Sequence, residues 1–339
     1  MKEQSPNTIL KRILVDNDKD PAPVSELVCP GCGNPGIKSG SRKTSRGRVQ
    51  RLYCRPCDRN FCTSALPRRQ YSPSTVLETV TAYNLGRTLD DTQRHIARRF
   101  RTTVPQSTIH SWLGQFSSVC TFSRFRRRYS FSEEETIQTR TFSHRQEYKF
   151  KFHRLKTNIL CRRQFPPIRR YLWHIAENCP NKLFQEGGAR CSDGNLPELS
   201  LRLVRKETNA VPLARLGLVL AKHRRGRHEA IQRFMLANDS ATIAVEVPVN
   251  PNEAPDLKLA EVLTGHIDVL QIRYDKVWIL DYKPEARRET RAKFQLYLYA
   301  RALNARTGIP LSRFGLAYFD DQDYFEVIGD RAQPRRSAA

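Results

Sequence analysis

The stretch GHIDVLQIRYDKVWILDYKP, residues 265–284, constrains the fold of this chain more than any other. Two apolar, β-rich runs flank Tyr274 and Asp275, with Asp268 in the first run and Asp281 and Lys283 in the second. A turn centred on Tyr274 and Asp275 makes an antiparallel hairpin that sets Ile272 against Val277 and Leu270 against Ile279. The same register sets Asp268 directly opposite Asp281, with side chains about 5 Å apart. Alternation then puts Lys283 on the face of Asp281. Facing carboxylates repel, and burying them is costly unless something binds there. Lys283 can offset one of them. A Mg²⁺ ion held through oxygen ligands satisfies both. The bland alternative is a salt-bridged sheet edge.

Three more features lie around the hairpin. Glu246 interrupts the apolar strand TIAVEVPV, and a lone buried acid there calls for a cation. His228 falls at helical spacing with Leu213, Leu216, Leu220, Ile231 and Met235, so it faces inward. An inward histidine is more often a satisfied core residue than a ligand. Gln295 and Tyr299 share a helix face with Arg291, where they either pack, orient Lys283 or contact a phosphate backbone. FGLAYF and DYFEVI read as two further strands. The expected catalytic unit is an α/β (α+β) mixed sheet flanked by helices.

GHID followed by DYK after a hairpin is similar to the signature of the PD-(D/E)XK nucleases. QLYLY resembles the helix motif that follows it in the RecB-like branch, which includes CRISPR-associated adaptation nucleases. RGRHEAIQRFML and IAVEVPV supply His228 and Glu246 in that branch's order. The resemblance covers about residues 211–330 and implies a restriction-endonuclease-like fold that hydrolyses phosphodiesters with Mg²⁺ or Mn²⁺. By the resemblance, Asp268, Asp281, Glu246, His228 and the Tyr282 carbonyl hold the metal, and Lys283 steadies the hydroxide or the phosphate charge. It also makes Gln295, Tyr299 and Arg291 candidate DNA contacts. Some relatives carry a four-Cys iron–sulfur cluster with three ligands after the lysine. This chain has no cysteine beyond Cys191, so no cluster is expected.

The N-terminal half reads differently. The 339 residues carry a formal net charge of +24, the balance of a nucleic-acid-handling protein. Residues 38–70 hold ten Lys or Arg against one acid, Asp58, and a second basic knot runs Arg124, Phe125, Arg126, Arg127, Arg128. Cys29 and Cys32, with Cys54 and Cys57, form two short pairs with the spacing of a structural zinc ribbon, expected over 29–66. The metal would supply most of the folding energy of so small a unit. Three helices follow over 71–118, the second opened by Thr88 and Asp91 as a capping box. They read as a helix-turn-helix unit whose third helix presents Gln106, Ser107 and His110 to a major groove, or as a plain packing unit. Ribbon plus helices resembles the DNA-binding half of some insertion-sequence transposases.

Residues 1–28 read as a flexible arm, 119–210 as a linker and helical spacer or an insert in the catalytic unit, and 331–339 as a tail. Within 119–210, FSEEETIQTR reads as linker, and HRQEYKFKFHRLKTNIL and PPIRRYLWHIAENCPNKLF as helices. No apolar run approaches the length of a membrane helix and no signal peptide is evident, so a cytoplasmic, nucleoid-associated protein without a membrane partner is expected. DNA is the expected partner. Self-association into a homo-oligomer is compatible with this, because cutting both strands commonly takes two catalytic centres. The sequence thus reads as a DNA nuclease delivered by its N-terminal modules. The alternatives are a transposase or mobile-element endonuclease subunit, and a non-catalytic DNA-binding regulator with a nuclease-like fold.

Overall fold

Alternating apolar positions in segments far apart in the chain assemble one large sheet, and the helices bury its two faces. The computed structural model describes residues 35–44, 47–62, 71–126, 128–129, 131–144, 146–179, 191, 201–221, 224–254 and 263–329. The first elements are strands β1 (Ile37–Thr44), β2 (Gly47–Cys54) and β3 (Arg59–Cys62), which pair antiparallel in a small separate sheet. Cys54 ends β2 and is buried, and Cys57 lies in the turn to β3, where Tyr53 donates to Asp58 Oδ1 at 2.6 Å. Cys29 and Cys32, the other half of the expected zinc site, lie outside the described residues.

Helices α1 (Pro73–Asn84), α2 (Leu89–Phe100) and α3 (Gln106–Gln115) fall where the sequence places them. Pro73 opens α1 behind a Ser72 cap, and Thr88 Oγ1 caps α2 by accepting from Asp91 N at 3.0 Å. Next come α4 (Phe122–Arg126), α5 (Glu133–Thr136), β4 (Ile137–His144), β5 (Gln146–His153), α6 (Arg154–Leu160), α7 (Pro166–Asn178) and β6 (Leu201–Arg205). The remainder is α8 (Ala210–Val219), α9 (Arg227–Asn238), β7 (Thr242–Val249), β8 (Gly265–Arg273), β9 (Lys276–Tyr282), α10 (Ala292–Thr307), β10 (Phe314–Phe319) and β11 (Tyr324–Gly329).

The main sheet has eight strands in the order β4-β5-β7-β8-β9-β10-β11-β6. It is mixed, because β10 returns parallel to β9 through α10 while the other pairs run antiparallel. This is the expected architecture with three further strands, β4, β5 and β6, all from residues 119–210, where the sequence reads as linker and helices or an insert in the catalytic unit. FSEEETIQTR is not linker: it forms the α5 turn and the start of β4. HRQEYKFKFH is not helical: it is mostly β5, and α6 begins only at Arg154. The physical signal is the alternation in QEYKFKFH, which buries Phe150 and Phe152 on one face of the strand.

One face of the sheet carries α7 and α10, with Leu172, Leu296 and Leu303 packed against Ile267, Leu270 and Ile279. The other carries α8 and α9. Here α1–α3 have no core of their own: Val76, Leu77, Ile109 and Trp112 share one apolar cluster with Leu213, Ile231, Phe234 and Val269. Polar contacts fix the same joint. Asn84 Nδ2 donates to Asn238 Oδ1 at 2.8 Å, and Arg233 Nη2 meets the buried Glu78 Oε1 at 2.9 Å. At the far end of α9, the buried Lys156 ammonium donates to the carbonyls of Leu236 (2.6 Å), Asp239 (2.5 Å) and Thr242 (3.2 Å). One amine thereby ties α6 to the end of α9 and the start of β7, with all three of its donors used.

Candidate active site

The hairpin register in the structure is the one the sequence dictates, with Leu270 opposite Ile279 and Ile272 opposite Val277. Tyr274 and Asp275 both take positive φ, 51° and 54°, as a two-residue type I′ connection requires. Continued one step past Val269↔Leu280, the ladder brings Asp268 alongside Asp281. Asp268 Oδ2 also accepts from Tyr282 N at 2.8 Å and lies 2.7 Å from His228 Nε2. Burial pushes both carboxyls up. At Asp268 the imidazolium of His228 and the hydrogen bonds outweigh burial and hold it well below the carboxylate range. At Asp281 burial and the neighbouring Asp268 charge act together and raise it well above, against the opposing pull of Lys283. Burial disfavours the charge on His228, but Asp268, Glu246 and Asp281 together lift it to about 9.

Glu246 reaches the same place by an unusual backbone. The β7–β8 ladder is registered at Val245↔Val269 and Val247↔Ile267, and between them Glu246 has φ +50°. A left-handed residue inside a strand costs on the order of 1 kcal/mol, and such strain concentrates at functional sites. Gln232 Nε2, one helical turn after His228 on α9, donates to Glu246 Oε1 at 2.6 Å. Burial, then the Asp268 charge, pushes the Glu246 carboxyl up to about 7. His228, Glu246 and Asp268 each offer a ligand atom, all within 4.8 Å of one another. Two carboxylates and an imidazole, with Asp281 alongside, are a donor set that suits Mg²⁺ or Mn²⁺.

Lys283 completes the cluster. Its Nζ lies 2.8 Å from Asp281 Oδ2 and donates to Gln295 Oε1 at 3.1 Å. Gln295 Nε2 in turn donates to the Tyr299 hydroxyl at 2.6 Å. The helix pair therefore orients the lysine. Tyr299 is buried at 2 % exposure and stands behind Gln295 at the cavity lining. Its ring lies so close to β8 that a Cβ at Gly265 would stand 2.4 Å from Tyr299 Cε1, and only glycine fits there. Arg291 is exposed at the start of α10.

The cluster floors a cavity of about 520 Å³ walled by Tyr148, Lys149 and Lys151 of β5 and by Glu229, Gln232 and Arg233 of α9. Sequence reasoning missed all of these wall residues. Gln232 had a legible signal, four residues after His228 and so on its helix face. The β5 residues were hidden by the helical misreading. Of the other candidate DNA contacts, Gln106, Ser107 and His110 are exposed on α3, although the Gln106 amide is held by Asp90 Oδ1. Arg124 and Arg128 are exposed, and Arg127 lies outside the described residues. Arg126 is a correction: it is buried over the rings of Tyr83 (5.0 Å) and Phe131 (4.6 Å) and donates to the carbonyls of Tyr129 and Gly86. A charge count cannot distinguish such a caged guanidinium from a solvated one.

A mixed sheet with paired acids, a third acid and a lysine at one end is the restriction-endonuclease-like class of fold. Residues 181–336 match the family model of the PD-(D/E)XK nuclease superfamily. Neither a curated protein nor a solved structure matches the chain. That match points to a nuclease-type phosphodiester hydrolase, a class that typically uses divalent metal and acts on DNA. Among the described residues, no helix is long and apolar enough to cross a membrane.

Proposed function

We propose that the protein is a Mg²⁺- or Mn²⁺-dependent deoxyribonuclease. The observation that carries this reading is the convergence of His228, Glu246 and Asp268 within 4.8 Å, beside the Asp281–Lys283 ion pair. Asp268, Glu246, His228 and Asp281, with the Tyr282 carbonyl, hold the metal. The ion, when bound, polarises the scissile phosphate and acidifies a water. Lys283, aimed by Gln295 and Tyr299, donates to the charge that develops on the phosphate oxygens as the P–O bond to the leaving oxygen breaks. Lys149, Lys151 and Arg233 line the approach and attract the backbone.

The N-terminal modules deliver this unit to DNA. Cys29, Cys32, Cys54 and Cys57 hold a structural zinc, and α3 offers Gln106, Ser107 and His110, with Arg124 and Arg128 on the flank. The intact acid and lysine set favours an active enzyme over a binding regulator.

The test is incubation of labelled linear and circular, single- and double-stranded DNA with Mg²⁺ or Mn²⁺. Wild type is expected to cleave, and Lys283→Ala to lose about 10²- to 10³-fold in rate while melting at the same temperature. Equal cleavage by both proteins, or inactivity of wild type under every condition, removes the nuclease reading.

A further inference from the structure

The strand order β5-β7-β8-β9 sets a row of charges across one end of the sheet. Glu246 belongs to β7, Asp268 to β8 and Asp281 to β9, with Lys283 just past the end of β9. A second lysine stands on the other flank. Lys151 of β5 pairs with Val245, the residue before Glu246, and its side chain lines the same cavity as the acids. Strand β5 precedes residues 181–336, so Lys151 lies outside the segment that matches the nuclease family.

Lys151 differs from the other shielded lysines in what its ammonium does. Lys156 spends all three donors on carbonyls, and Lys283 is shared between Asp281 and Gln295. The Lys151 side chain is only 20 % exposed, yet its Nζ lies 3.8 Å from Glu229 Oε1, too far for a hydrogen bond. Among the described residues that ammonium makes no hydrogen bond. Glu229 is itself 64 % exposed, so water weakens the pair. Burial works against the Lys151 charge, and Lys149 and Arg233 add repulsion that Glu229 and Glu246 only partly offset. A shielded cation with unspent donors, among other cations, gains most from an anion that enters the cavity. Only β7 separates β5 from β8, so those strands lie about 10 Å apart, a gap that a four-carbon stem and a phosphate together bridge. A phosphate over the acids therefore meets one ammonium on each flank.

We propose that Lys151 is a second catalytic cation, donating to a non-bridging oxygen of the scissile phosphate from the flank opposite Lys283. This rests on the nuclease reading and extends it to a residue outside the matched segment. Charge builds on those oxygens as water attacks and the bond to the leaving oxygen breaks. An ammonium already desolvated and held at the cavity strengthens its hydrogen bond as that charge grows. No proton leaves Lys151 in the step, and Glu229 is the ammonium's partner between substrates.

Two readouts test this, one with cutting and one without. In steady-state cleavage with Mn²⁺, Lys151→Met keeps the stem and should melt like wild type. It should lose about 10²-fold in kcat with KM little changed, and Lys151→Arg should recover most of that loss. Lys149→Met, on the exposed neighbour, should raise KM instead. For the second readout, full-length Lys283→Ala protein bearing isotope-labelled dimethyl-lysines is titrated in Ca²⁺ with thymidylyl-thymidine, which has a single phosphodiester. The Lys151 resonance, identified by its loss in Lys151→Arg, should shift. A Lys151 resonance unmoved at the highest dinucleotide concentration, or a kcat unchanged by Lys151→Met, overturns the assignment. If the resonance shifts while wild type cuts nothing, the phosphate contact stands and the nuclease reading falls.

Discussion

At the scale of single residues, the site is built from side chains whose neighbours decide what they do. Glu246 is the clearest case. Its backbone sits in a region unfavourable for a residue with a side chain, and the Gln232 amide secures the carboxylate that this backbone delivers. Gln232→Leu should therefore reduce metal affinity about 10- to 100-fold, the usual loss when a ligand's supporting partner is removed. Isothermal titration with Mn²⁺ checks this, and unchanged affinity in a folded variant would mean that Glu246 is held by its backbone alone. The acid pair was legible from residue numbers, because a period of two and a turn at Tyr274 and Asp275 leave Asp268 no other partner. Glu246 was legible as an acid in an apolar strand, but its kink was not, since no local residue preference favours one there. Arg126 was misjudged for the opposite reason: its sequence neighbours are cations, whereas its neighbours in space are Tyr83 and Phe131.

At the scale of elements, α9 is the piece on which the site turns. One side presents His228 and Gln232 to Asp268 and Glu246, and another holds Arg233 against Glu78 of α1. Burial pushes the Glu78 carboxyl up, but Arg233, Arg99 and His95 outweigh burial and hold it below its ordinary value near 4.5. A carboxyl with a lowered folded-state pKa stabilises the fold above its unfolded value, and that contribution is lost as pH falls through the lowered one. Acidification below about pH 4.5 should thus loosen α1 from α9. Glu78→Gln should cost about 2 kcal/mol at neutral pH and flatten the acid limb, as read from urea midpoints at pH 7 and pH 4. Parallel acid limbs for the two proteins would place the sensitivity elsewhere. Strand β5 carries the lesson about legibility at this scale. Its alternation is present in the sequence, but its charged residues mimic a solvated helix face, and only the burial of Phe150 and Phe152 distinguishes the two.

At the scale of the whole molecule, a formal net charge of +24 makes association with DNA a matter of counterion release. Affinity should fall linearly on logarithmic axes as salt rises. Removing Lys149 and Lys151 should reduce that slope by about 1 for each charge, with no change in sequence preference. Filter binding across a salt series measures it, and an unaltered slope would remove β5 from the phosphate path. The helices and the hairpin were readable because each is set by nearby residues. The continuous core joining α1–α3 to α8 and α9 was not, because packing between distant segments leaves no local pattern. The parallel pairing of β10 with β9 has an outcome of its own for a cell that makes this chain. Phe319 of β10 supplies the carbonyl that receives the amide of Lys283, and β11 joins β10 to the much earlier β6. During translation, the acids and the lysine emerge from the ribosome well before the strand that braces them. A nascent chain stopped short of Phe314 therefore lacks that brace, and the acid and lysine cluster is set late in synthesis.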